Sequence, residues 1–140
     1  MTGVAAVRHI ASGGPWEDAV GYSRAVVLPP GAARVLVSGS TATLDGRVVH
    51  PGDAYRQAHT AWDVVEAALR QAGACLEDVV RSRMYVVGRE HCDAVGRAHA
   101  ERVGAARPAA TMVVVAGLVD PAMLVDVEVE ALVPEGGRPG

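Results

Sequence analysis

The chain contains no lysine and no phenylalanine, and only two cysteines in 140 residues. Without lysine there is no Walker lysine, no Schiff-base lysine and no lysine general base. All thirteen basic side chains are therefore arginine, set against sixteen acids for a net charge of −3. A surface that reads phosphates carries excess positive charge, so nucleic-acid binding is not expected. Cys75 and Cys92 cannot form a disulfide framework. The N-terminus has no basic segment followed by a long apolar run, so no signal peptide is expected. The longest apolar stretch, 112–119, falls far short of the roughly 20 residues a membrane helix needs. These absences lead to the expectation of a cytoplasmic protein with no membrane association.

What is present is one domain's worth of apolar residue, half of the chain. A short apolar stretch, Val4 to Ile10, is predicted as a first strand, ending in the loop signal Ala11-Ser-Gly-Gly-Pro15. Tyr22 to Leu28 and Arg34 to Ser38 flank Pro29-Pro30-Gly31 and read as an antiparallel hairpin. A smaller hairpin is predicted around Asp45-Gly46. Asp53 is a good N-cap for a helix whose buried face runs through Ala58, Ala61, Trp62, Val65 and Leu69, with Gly73 as its stop. Val79 to Val87 reads as a strand and Glu90 to Val103 as a second helix. Thr111 to Ala116 and Leu124 to Val133 read as the last two strands. Residues 1–133 form the predicted domain, and 134–140 are a Gly/Pro-rich flexible tail with little to bury.

Two helices cannot cover both faces of such a sheet, so the predicted class is α+β, a two-layer fold with both helices on one face. Thr111 to Ala116 is nevertheless apolar on both alternating faces, as in a strand buried on both sides. A second copy of the chain packed on the other sheet face is the economical cover.

The last strand concentrates the chemistry. Val125, Val127, Val129 and Ala131 alternate with Asp126, Glu128 and Glu130, so the three carboxylates share one face. That face is either simply solvated or, at an interface between copies, desolvated enough to supply a water-activating base. Arg81, Arg83 and Tyr85 share one face of the Val79–Val87 strand, where the arginines can pair with facing acids or hold an anion. The five histidines show no paired-ligand spacing, and no metal site is expected. Ser38 and Ser40 flank Gly39 outside any nucleophile-elbow context. His99, in Gly-Arg-Ala-His (96–99), reads first as a packing residue and second as an acid–base candidate.

Taken in order, several segments resemble the RidA/YjgF family of reactive-intermediate deaminases, also called the L-PSP endoribonuclease family. They are Gly-Tyr-Ser-Arg-Ala-Val (21–26), Val-Ser-Gly (37–39), Gln57 with Ala-Leu-Arg-Gln-Ala-Gly (67–73), Leu-Glu-Asp-Val-Val-Arg-Ser-Arg-Met-Tyr-Val (76–86), Arg-Pro-Ala-Ala-Thr-Met-Val (107–113) and Val-Glu-Val-Glu-Ala (127–131). The resemblance implies a chorismate-mutase-like (YjgF-like) fold with a mixed sheet. It implies a homotrimer whose sheets form a central barrel, with a small-molecule ligand in each intersubunit cleft. It also implies cofactor-free hydrolysis of imines or enamines. By that resemblance Glu128 activates the water and Tyr22 lines the pocket. Gly39, Ala110, Thr111 and Met112 contact the substrate; Arg83, His99 and Glu130 stand as further candidates on the residue pattern alone. One departure matters. Deaminase members carry Pro-Ala-Arg before Ser or Thr, the Arg clamping the substrate carboxylate, whereas this chain reads Pro108-Ala109-Ala110-Thr111. Losing such a partly buried charge pair costs on the order of several kcal/mol of binding. Efficient hydrolysis of 2-iminopropanoate is therefore not expected. The competing readings are a non-catalytic small-molecule-binding trimer and an endoribonuclease or translation inhibitor, the latter disfavoured by the charge balance.

Overall fold

The computed structural model describes residues 7–139. Its centre is a four-stranded mixed sheet in the order β3-β8-β6-β7. These strands are β3 (Arg34–Ser40), β6 (Val79–Val87), β7 (Ala109–Val115) and β8 (Val125–Leu132). β6 and β7 run parallel; the other two pairings are antiparallel. β1 (Arg8–Ile10) with β2 (Ala25–Val27), and β4 (Thr43–Leu44) with β5 (Arg47–Val48), form two small ribbons.

The helices are α1 (Pro15–Val20), α2 (Ala54–Gln71) and α3 (Cys92–Val103). α2 begins where its cap chemistry says, Asp53 accepting a hydrogen bond from the Arg56 N–H at 3.0 Å. It ends before Gly73, which takes φ +84°. Its buried stripe of Ala58, Ala61, Trp62, Val65 and Leu69 lies over β8 and β3, in one core with Val125, Val127, Val129 and Ala131 of β8 and Met84 and Val86 of β6, on which α3 packs. No described helix is long and apolar enough to cross a membrane.

Four expectations are corrected. Among the described residues there are three α-helices, not two: Pro15, read as the end of a loop, occupies the first turn of α1, where its missing N–H costs nothing. The hairpin across Pro29-Pro30-Gly31 does not form. β2 pairs with β1, and β3 pairs with β8 so that Val35 and Val37 join the helical side of the core. Two consecutive prolines supply no N–H to a ladder, so the strands on either side part company. The second predicted helix opens instead with a 3-10 turn, Arg89–His91, after Gly88 at φ +89°. The strand predicted over Thr111–Ala116 is an edge strand running Ala109–Val115, and within one chain Val113 and Val114 remain 41% and 45% exposed. Of the strand predicted from Val4, residues 1–6 lie outside the described residues. The tail folds back: the Arg138 N–H donates to the Gly73 carbonyl at 2.7 Å, and its guanidinium grips Asp78 at 2.6 and 2.8 Å.

Candidate functional site

The sheet face turned away from the helices carries the polar groups. On β8, Val125, Val127, Val129 and Ala131 are buried on the side of α2, leaving Asp126, Glu128 and Glu130 on the opposite side. The register sets Arg83 beside Glu128 and Tyr85 beside Asp126. The Tyr85 hydroxyl donates to Glu128 Oε1, and this bond is the main reason its phenol titrates above the ordinary range. Arg83 lies 4.0 Å from Glu128 and 3.7 Å from Glu130, and Glu130 takes a second partner in Arg34 at 3.2 Å.

The β3–β8 ladder is broken between Val37 and Ser40, where Ser38 and Gly39 form a bulge opposite Glu128. The bulge lays the Gly39 backbone on the Asp126 carboxyl. A Cβ at position 39 would stand 2.7 and 2.8 Å from the two carboxyl oxygens, so any larger residue there must push the Asp126 carboxyl aside. Asp126 Oδ1 is buried without a hydrogen-bond partner. Burial, and then the charge of Glu128, push the Asp126 carboxyl above the ordinary range.

The remaining site candidates lie elsewhere. Ala110 and Met112 alternate with Thr111, so they point to the helical side while Thr111 lies on the Glu128 side, opposite Arg83. Ala110, Met112 and Tyr22 line a cavity of ≈190 Å³ with Trp16, Val20 and Met84. It adjoins a second of ≈330 Å³ between α1 and α3 that shares Trp16, Val20 and Met112. Tyr22 reaches this groove because Ser23 bridges to Ala109 at the start of β7, the Ser23 N–H donating to the Pro108 carbonyl at 3.0 Å. The larger cavity of ≈590 Å³, between residues 29–33 and 133–137, is remote from all of these groups.

Two guanidiniums border the Tyr22 groove, Arg24 donating to the Tyr22 hydroxyl at 3.3 Å and Arg97 lining the adjoining cavity while lying 4.2 Å over the Tyr55 ring, but neither occupies the place of Ala110. Arg107 adopts a left-handed backbone, φ +51°, and is committed to the Glu17 carbonyl at 2.9 Å and to Asp18 at 2.6 Å. Arg83 is on the other face. His99 is fully buried: one ring nitrogen meets Ser82 Oγ at 2.8 Å and the other the Val20 carbonyl at 2.8 Å. Burial holds its pKa below the ordinary histidine value. It braces the end of α1 just before Tyr22 and touches neither group of candidates. No group of three or more potential metal-ligating side chains occurs among the described residues.

The sequence candidates thus divide between two faces of one sheet. Glu128, Glu130, Arg83, Thr111 and Gly39 are on one; Tyr22, Ala110 and Met112 are on the other. Tyr85 and Asp126 join the first group. Strand alternation places both on that face, but the hydrogen bond of one and the orphaned oxygen of the other depend on the register between strands distant in sequence.

The model of the family described as Endoribonuclease L-PSP matches residues 16–133. A Streptomyces coelicolor protein, named only as uncharacterized, is 40% identical over 126 residues, 90% of this chain and 92% of that one. A crystal structure from Mycobacterium tuberculosis, a member of the YjgF/YER057c/UK114 family, is 41% identical with a TM-score of 0.64, covering 91% of this chain and all of the other. A Rid-family protein from Yersinia pestis is 27% identical with a TM-score of 0.79, covering 91% and 98%.

Proposed function

The chain belongs to the Endoribonuclease L-PSP family, the YjgF/Rid proteins, and from that footing we propose that it hydrolyses a small imine or enamine lacking an α-carboxylate. The reaction needs no cofactor and takes place in a cleft between subunits of a homotrimer. The observation that carries this reading is the Glu128 carboxylate, oriented by the Tyr85 hydroxyl and flanked by Arg83 beside the Gly39 bulge. A fixed carboxylate with one oxygen tied down is suited to taking a proton from water with the other. The water oxygen then bonds to the C=N carbon. The π pair moves to nitrogen, which takes up a proton, and the resulting carbinolamine expels ammonia or an amine to leave the carbonyl. An imine carbon is already electrophilic, so positioning supplies much of the catalysis.

The trimer is part of the proposal because Glu128 and the Tyr22–Ala110–Met112 groove are on opposite faces within one protomer. A small ligand reaches both only if one subunit's carboxylate face meets the β7 edge of a neighbour. Leu36, 70% exposed on the carboxylate face, and Val113, 41% exposed on the β7 edge, are apolar groups that such packing would cover. Retention of the pocket without chemistry, a binding trimer, is the second reading, favoured by the lost guanidinium at Ala110. Ribonuclease activity, the sense of the family description, is supported by no basic surface in a chain of net charge −3.

The test uses an aryl-alkyl imine generated in situ by an amine oxidase, with semicarbazide trapping as the readout. Glu128→Gln is expected to keep the oligomer mass in light scattering and to cut turnover about a hundredfold, while Glu130→Gln changes it little. Full activity of Glu128→Gln, or a monomeric mass for the wild-type protein, refutes the reading.

A further inference from the structure

We propose that Asp126 is the acid of this site, carrying the proton that the substrate nitrogen takes up while Glu128 accepts the proton of the attacking water. The inference rests on the hydrolytic reading above and adds a second catalytic residue to it.

Three carboxyl groups share the face, and their partners are unequally distributed. Glu130 has Arg34 at 3.2 Å and Arg83 at 3.7 Å; Glu128 has the Tyr85 hydroxyl and Arg83 at 4.0 Å. Among the described residues no arginine, histidine or phenol reaches Asp126, although Tyr85 is its cross-strand neighbour. The Tyr85 hydroxyl passes it over for Glu128. One Asp126 oxygen is buried without any partner, beneath the Gly39 backbone that the β3 bulge lays across it. An anion in that position would have no cation beside it and only backbone N–H groups to offset its charge, whereas a neutral carboxyl leaves the smaller cost of one unpaired polar atom. Burial and the adjacent Glu128 charge raise the affinity of this carboxyl for a proton, outweighing the N–H groups of Ser40 and Val127, which act the other way. Two carboxyls two residues apart, one with a phenol and a cation beside it and one with only backbone N–H groups on one oxygen, form the split pair that acid–base catalysis uses.

The proton inventory closes. In the addition step the water O–C bond forms as Glu128 gains the water proton; the C=N π pair goes to nitrogen, which receives the Asp126 proton. In the collapse step protonated Glu128 gives its proton to the carbinolamine nitrogen and Asp126 takes the hydroxyl proton. The C–N bond breaks, the carbonyl forms, and both carboxyls return to their starting states. Gly39 then has a definite part: by having no Cβ it lets backbone cover the carboxyl and keep water from one of its oxygens.

Two measurements decide the matter. The first titrates the aspartate carboxyl carbons by 13C NMR in the wild-type protein, with Asp126→Asn to assign the signal. Asp126 is expected to ionise at higher pH than the other aspartates, and Gly39→Ala, which forces the carboxyl outward, returns it towards them. An Asp126 signal that titrates in the ordinary range overturns the proposal whether or not any activity has been found. The second follows kcat/KM against pH with the aryl-alkyl imine probe. Asp126→Asn is expected to lower it about a hundredfold and to abolish the alkaline limb. Full activity with that limb intact in Asp126→Asn, alongside a dead Glu128→Gln, overturns the role of Asp126 and leaves the hydrolytic reading standing.

Discussion

His99 offers a test of how the core holds the groove. Replacing it with leucine keeps an apolar side chain of similar bulk beside Trp62, whose ring now stacks edge-on at 5.8 Å. The substitution removes both hydrogen bonds, leaving the Ser82 hydroxyl and the Val20 carbonyl without their buried partner. Each stranded group costs about 1–3 kcal/mol, so His99→Leu should destabilise by about 2–6 kcal/mol, a large share of the 5–15 kcal/mol typical of a domain. Adding Ser82→Ala should recover part of the loss, because the cycle removes one of the two orphans. The pH dependence has a definite sign. The folded-state pKa of His99 lies below its ordinary value of 6.5, so the folded protein binds fewer protons than the unfolded chain in between. The stability this confers is complete above pH 6.5 and is lost as pH falls towards the folded-state value. Urea unfolding followed by tryptophan fluorescence, at one protein concentration and at pH 7.5 and 5.5, measures both effects. A His99→Leu protein as stable as wild type at pH 7.5, or one retaining the full wild-type acid loss, would refute the reasoning.

Gly21 and Gly46 share a left-handed backbone, φ +79° and +77°, but a Cβ at 21 would stand 2.5 Å from Gly104 Cα while one at 46 meets nothing within 4 Å. Gly46→Ala should cost only the backbone strain, about 1–2 kcal/mol. Gly21→Ala should cost a further ~1–3 kcal/mol or more as α1 and α3 are wedged apart, and equal urea midpoints would disprove the packing argument. Turnover of 2-iminopropanoate, made in situ from alanine by an amino-acid oxidase, should stay near the uncatalysed rate because neither Ala110 nor the committed Arg107 offers a guanidinium. Activity that disappears in Arg83→Ala would show that the clamp has moved to the other sheet face.

The elements that were legible in the sequence are those whose cause lies within a few residues. Asp53 caps α2 through the N–H three positions on, and Gly73 stops it by taking φ > 0. Val79–Val87 is bounded as its β-rich pattern predicts, and Asp45-Gly46 turns a ribbon. The alternation of β8 separates Glu128 from the core whatever the strand pairs with, because the side-chain period of a strand is two. Even α1 is local in cause, since Pro15 after Gly14 suits a first turn as well as a loop; its packing on α3 selects the helix. Tertiary structure alone decided the rest. Residues 22–28 and 34–38 do not state that they pair with different strands. That choice belongs to the burial of Val35 and Val37 with β8. Nothing in Pro108-Ala109-Ala110-Thr111 reveals that Arg107 is already spent on Asp18, or that Ala110 and Glu128 face opposite ways across the sheet. The state of Asp126 is decided furthest from its own sequence neighbours. Its solvation is set by a bulge in β3, nearly ninety residues earlier, and its lack of a partner by Tyr85 turning to Glu128. Register and face are periodic and local, whereas who stands across the sheet, and which polar group is left without a partner, is settled only when distant strands meet.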